Sequence, residues 1–185
     1  MYGIIGEDRS DVATLKVLVK RLAGNPRLTV KTKGYGGSGE MLCKGARQLA
    51  LFKSQKLDRF IVCHDADGPD PEPKRQLVMQ RIVRPSGLKK GCCVVVPVQE
   101  LEAWILADIE CVANVISSWR PQAVDNPEGI PSPKEYVEKL SHDSKRRPRY
   151  IHAVHNEKMA LHLDLDKVAA KCPAFQELVS FCSVG

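Results

Sequence analysis

Apolar residues recur along this chain with two periods, and the switches between them delimit its elements. Residues 2–6 form a short apolar run of the kind that makes a buried strand. Beyond Ser10, a fitting helix cap, Val12, Leu15, Leu18, Val19 and Leu22 return every three or four positions, which predicts a helix ended by Gly24, Asn25 and Pro26. Residues 28–33 alternate apolar with polar and predict a second, less buried strand, followed by a glycine-rich turn over 34–39. A second helix presents Met41, Leu42, Ala46, Leu49, Ala50 and Phe52 on its apolar face. The unbroken run 60–63 predicts a strand buried on both sides, closed by Gly68, Pro69 and Pro71. Residues 73–83 predict a third helix with Leu77, Val78, Ile82 and Val83 facing inward. Residues 92–98 are the next buried strand, running straight into the helical composition of 99–108.

Strands that alternate with helices in this way predict an α/β fold: a three-layer, Rossmann-like domain on a mostly parallel four-stranded sheet with right-handed crossovers. Beyond Asp108 the pattern loosens. Residues 112–117 extend or restart a helix, 120–132 are a loop with prolines, 134–140 a short helix, and 141–150 an exposed basic loop or arm. Helical patterning resumes over 156–163, 165–171 and 174–182. The expected organisation is an α/β core over 1–110 and a helical extension over 111–185 packed on it, one domain overall.

Composition changes this picture little. With 185 residues, 43% hydrophobic and 27% charged, the chain is ordinary for a globular protein, and disorder is not expected. A net charge of +6 adds a mild preference for polyanionic partners. No apolar stretch approaches the roughly 20 residues of a membrane-spanning helix. Residues 1–5 also lack the basic start and apolar centre of a signal peptide, so a cytoplasmic location without membrane contact is expected. The seven cysteines include no C-x-x-C pair, which argues against a disulfide framework or a zinc ribbon. Cys63, Cys92 and Cys93 fall in predicted strands, where they act as compact hydrophobes.

The chemistry gathers at strand ends. In an open parallel sheet, ligands bind beyond the carboxyl ends of the strands. Glu7 follows the first strand, Asp65 and Asp67 the third, Glu100 and Glu102 the fourth, and Asp11 lies one helical turn beyond Glu7. Period-two alternation is expected to send Asp65 and Asp67 the same way. Crowded carboxylates repel unless one is protonated or a cation lies among them. Ionised, they suit Mg²⁺ (or Mn²⁺), which takes a few carboxylates together with water and phosphate oxygens. Two such ions about 4 Å apart stabilise the attacking and leaving oxygens of phosphodiester cleavage. Lys145, Arg146, Arg147 and Arg149 would then neutralise the backbone of a bound nucleic acid.

These residues carry a resemblance. Glu7 with Asp11, the Asp65-x-Asp67 pair and the acidic motif after the fourth strand resemble a Toprim domain, the metal-binding fold shared by topoisomerases, primases and OLD-family nucleases. More narrowly, Pro97-Val98-Gln99-Glu100-Leu101-Glu102-Ala103-Trp104, with Glu157-Lys158-Met159-Ala160 and Cys172-Pro173-Ala174-Phe175, resembles a small bacterial family of stand-alone Toprim-like proteins. The resemblance implies Glu7 as metal ligand or general base, Asp65 and Asp67 as ligands, and Glu100 or Glu102 as a ligand of a second metal. Lys158 would offset phosphate charge. It also implies a nucleic-acid partner and, in phage-defence or mobile-element settings, a protein partner. One departure stands out: Asp8 follows Glu7 where related members have glycine, so either the metal loop is reshaped or Asp8 adds a ligand.

Each feature also has an ordinary reading. Glu102 fits an exposed helix face, Lys158 a solvated one, and Trp104 core packing. His152-x-x-His155 lacks a third zinc ligand, while His64 adjoins Asp65. The 34–39 turn either approaches phosphate at a helix start or is a flexible connection, and it lacks the ending of a P-loop. Three functions follow: a Mg²⁺-dependent phosphodiesterase acting on nucleic acid, a non-catalytic module that binds nucleic acid or a protein, and a phosphohydrolase of small nucleotides.

Overall fold

The computed structural model describes residues 1–183 and bears out the α/β reading. Strands β1 (Tyr2–Gly6), β2 (Val30–Gly34), β3 (Arg59–Cys63) and β4 (Cys92–Val95) form one sheet of order β2-β1-β3-β4 with every pairing parallel. β2 and β4 are shorter than the expected 28–33 and 92–98. Pro97 has no N–H to give a ladder, and β4 stops before it.

Side-chain alternation assigns the two faces. Ile4, Ile61 and Val95 point into one apolar cluster, and Ile5, Val62 and Val94 into the other. The second is covered by α2 (Ser38–Ser54) and by α3 (Glu72–Val78), which continues as a π-helical turn through Val83. The first is covered by α1 (Arg9–Leu22), α4 (Glu102–Ala107) and the C-terminal helices. The result is the three-layer, Rossmann-like arrangement. After a 3₁₀ stretch at Ile109–Asn114 come α5 (Pro133–Leu140), α6 (His152–Ala160), α7 (Leu165–Lys171) and α8 (Pro173–Ser183). α6 thus begins before the expected residue 156.

The helical layer shares one core with the sheet. Trp104 meets Phe175 of α8 edge-on at 5.0 Å, which makes it a packing residue. Arg59 of β3 lies over the Phe181 ring at 4.3 Å and over the Tyr2 ring at 5.2 Å, and donates to the Phe181 carbonyl. All seven cysteines are free; Cys63 is buried, and Cys92 and Cys93 are half-buried. Among the described residues no helix is long and apolar enough to cross a membrane.

α1 is capped by Asp8, not Ser10. The Asp11 amide donates to Asp8 Oδ1 at 2.9 Å and the Asp8 amide to Asp11 Oδ2 at 3.3 Å, a reciprocal capping box. The end of β2 presses on this start: a Cβ at Gly34 would sit 2.4 Å from the Asp8 carbonyl oxygen. Only glycine admits so close an approach.

Candidate acidic site

The crossover from β1 runs to β2 on one side, and the chain then returns to β3 on the other. The switch point of the sheet therefore lies between the ends of β1 and β3. Glu7 and Asp65 meet there, the Asp65 amide donating to Glu7 Oε1 at 2.8 Å. His64, buried beneath, brings Nδ1 to 2.9 Å from the same oxygen and to 2.7 Å from the Asp65 carbonyl. Burial works against its protonation, yet the Glu7 carboxylate and the Asp65 carbonyl prevail and hold its pKa above the ordinary value. Its Nε2 is buried without a hydrogen-bond partner among the described residues.

The other acids arrive from the fourth strand and from the helical layer. Asp65 Oδ1 accepts from the Leu101 amide at 3.0 Å, fastening the end of β3 to the start of α4. Glu100 Oε2 accepts from the Lys134 amide at 2.9 Å, an acid at the first turn of α5 where the helix dipole favours it. Glu102 is not on an exposed face: it is 3% exposed, and its Oε1 accepts from Asn156 Nδ2 at 2.9 Å. Asn156 Oδ1 in turn accepts from the Tyr150 hydroxyl at 2.5 Å, so a buried chain of two hydrogen bonds supports Glu102 from α6.

Glu7, Asp11, Asp65, Glu100 and Glu102 are thus brought together with too little positive charge among them. Burial first, then Asp11, Glu102, Glu7 and Glu100, pushes the Asp65 carboxyl well above its usual range. Burial, then Asp8 and Glu102, pushes Asp11 up to about 7. Glu102 is also raised by burial, although Asn156 and Lys134 pull the other way. Lys134 is the lysine of this site. Burial acts to lower its pKa, but Glu102, Glu100, Asp8 and Asp65 hold it above the ordinary lysine value.

The raised Asp11 has a measurable effect. An acid with pKa 3.8 when unfolded and about 7 when folded lets the folded state hold an extra proton between those values. Its contribution to stability therefore declines as pH rises from about 4 to about 7 and is constant above. Thermal midpoints of the metal-free protein from pH 4 to pH 8 will show this fall, and Asp11→Asn, which keeps an acceptor for the Asp8 amide, will flatten it.

Two expected members stand elsewhere. Asp67 is exposed with a left-handed φ of 51°, and its carboxylate lies 2.6 Å from Lys74 Nζ. β3 has ended by Cys63, so strand alternation does not extend to the pair, and the two aspartates do not form a shared wall. Lys158 is exposed on α6, and Lys134 stands where a cationic partner was expected. The basic segment is exposed over 144–148, but its ends are not, since Ser141 and Tyr150 are buried. Within it Arg147 is engaged by Asp143 and Arg149 donates to the Ser118 carbonyl at 2.7 Å. Lys145 and Arg146 are exposed with unengaged side chains. His155 Nδ1 lies against the Ile151 backbone, which leaves His152-x-x-His155 without the character of a zinc site.

Sequence reading passed over Lys134, Tyr150 and Asn156. Their only local signal is a polar residue on an otherwise core-facing helix turn, in the case of Asn156. Among the described residues no group of three or more His, Cys, Asp and Glu side chains is placed so that it could hold a metal ion as it stands. Each acid is instead fixed through one oxygen by an amide donor.

Fold and rim together define a Rossmann-like α/β domain with a partly buried acidic site at its switch point. A family model described as a domain of unknown function, DUF4276, matches residues 7–181. The chain belongs to that family. No curated protein and no solved structure matches it.

Proposed function

We propose that this protein is a divalent-metal-dependent phosphodiesterase acting on nucleic acid. The observation that carries the reading is the partly buried convergence of Glu7, Asp11, Asp65, Glu100 and Glu102 at the switch point, with Asp65 and Asp11 pushed up first by burial and then by the neighbouring carboxylates. A site that raises its own acids in this way is short of a cation. The donor set is all oxygen, which fits Mg²⁺ or Mn²⁺. Glu7, Asp11, Asp65, Glu100 and Glu102 are the acids that would hold it, after a rearrangement of their side chains. Bound there, the ion would neutralise phosphate charge and act as a Lewis acid. Lys134, kept protonated by the acids, supplies a fixed positive charge for a phosphoryl oxygen. Glu7, oriented by the Asp65 amide and His64, is a positioned base for the attacking water. Lys145 and Arg146 remain available to the nucleic-acid backbone, in a phage-defence or mobile-element setting.

One observation favours a second reading, a non-catalytic module that binds nucleic acid or a partner protein: every acid of the cluster already serves a structural amide. Incubation with single- and double-stranded DNA and RNA in Mg²⁺ or Mn²⁺, with EDTA controls, separates the two. Cleavage that EDTA stops is the expected result. Binding without cleavage of any substrate would establish the module instead.

A further inference from the structure

A cleft of about 580 Å³ opens beside the acidic site, lined among others by Asp8, Arg9, Lys33, Tyr35, Glu40 and His152. A second, of about 380 Å³, shares Arg9, Lys33 and Gly34 with it and adds Lys16, so the two make one groove along α1 and the outer edge of β2. The groove and the acidic site have a common wall. The Gly37 amide donates to the Glu7 carbonyl at 3.0 Å, and the Tyr35 amide to the Gly6 carbonyl at 3.3 Å.

The charges in this groove are unevenly committed. Of its acids, Asp8 accepts the Asp11 amide and Glu40 holds both the Gly36 amide and Lys44, while Glu157, on the wall of the second cavity, has no ion pair among the described residues. Arg9, Lys16 and Lys33 have no ion pair or hydrogen bond among the described residues; Lys33 only lies over the Tyr35 ring, 5.4 Å from its centre. The Tyr35 hydroxyl is buried without a hydrogen-bond partner among the described residues. Unpaired cations lining one groove call for an anion rich in oxygen acceptors.

We propose that this groove, through Arg9, Lys16 and Lys33, holds the phosphodiester backbone of a nucleic-acid strand on one side of the acidic site. The inference rests on the phosphodiesterase reading for its substrate class. It moves the main backbone contact from the 145–149 segment, where Arg147 and Arg149 are occupied, to the β2 edge. A continuous groove of two linked cavities suits a strand passing through better than a single nucleotide. Lysines on an edge strand also discourage strand pairing between molecules, a role that needs no ligand. The test must therefore read binding.

Fluorescence anisotropy of labelled single-stranded DNA, double-stranded DNA and RNA oligonucleotides of one sequence, titrated in EDTA at several salt concentrations, measures binding apart from cleavage. Arg9→Ala with Lys33→Ala is expected to weaken binding of the preferred strand about tenfold and to flatten the dependence of log K on log salt by about 1 to 2. Arg9→Lys with Lys33→Arg is expected to restore the slope. Lys145→Ala with Arg146→Ala should change it less. An unchanged slope in the neutral Arg9 and Lys33 variant overturns the proposal, as does displacement of the strand by an equal concentration of mononucleotide. If that neutral variant binds like the parent while the parent cleaves, the groove assignment fails and the enzymatic reading stands. If binding depends on the groove but the parent cleaves nothing, the groove assignment stands and the enzymatic reading fails.

Discussion

Asp65→Asn is expected to reduce metal-dependent cleavage by about 10²-fold or more while making the metal-free protein more stable. The two effects have one origin. Asp65 lies between the ends of β3 and β4, where burial and four other carboxylates push its acid up. Asparagine keeps an oxygen for the Leu101 amide and removes the charge, so the backbone link survives and the repulsion does not. Each kcal/mol recovered is worth roughly 2–4 °C in a domain of this size. Differential scanning calorimetry without metal, at high pH where more of these acids are ionised than at low pH, should show the midpoint rising by a few degrees. Excess Mg²⁺ should stabilise the parent and leave the variant almost unmoved. A variant that cleaves like the parent would remove Asp65 from the reaction. One that cleaves poorly but is also less stable would show that the aspartate serves the fold.

Asn156→Ala should cause the largest loss of stability, about 3 kcal/mol or more in urea unfolding. The amide is the middle of the Tyr150–Asn156–Glu102 chain and satisfies a buried partner at each end. Removing it strands a carboxylate that is 3% exposed and a hydroxyl that is 1% exposed. Tyr150→Phe, which leaves Glu102 its donor, should cost only about 1 kcal/mol. A loss for Asn156→Ala as small as that of Tyr150→Phe would mean that Glu102 finds another partner, with Lys134 the nearest cation by its influence.

The sheet was legible in the sequence because β1 and β3 are almost wholly buried and read as short apolar runs, while the exposed β2 shows in its alternation. The run 60–63 reads as a strand by its shortness and the Gly and Pro residues that follow it, and the helices between the strands favour parallel pairing. The order β2-β1-β3-β4 is written in no local pattern, yet it makes the junction of β1 and β3 the switch point. The acids at the strand ends were legible for the same reason. The misreadings have local causes. Asp67 was paired with Asp65 by an alternation that β3 does not sustain past Cys63. Glu102 was open to reading as an exposed position because Leu101, Trp104 and Ile105 supply a core face by themselves. In the fold, α4 is enclosed by the sheet and the C-terminal helices, and all its residues are buried. Lys134 and Asn156 reach the site across long stretches of chain, a placement that only tertiary packing decides. Asp8, where the Toprim resemblance has glycine, is accounted for as the capping residue of α1 and as a wall of the groove.

The support of Glu100 and Glu102 by α5 and α6 orders events during synthesis. A ribosome delivers Glu7, Asp11, Asp65, Glu100 and Glu102 first, and only then Lys134, Tyr150 and Asn156. A nascent chain that has folded its sheet holds the acids without the ammonium and the amide that steady them. The site matures when the last third of the chain folds back over the sheet, so a truncated product carries the acids in an unsupported form.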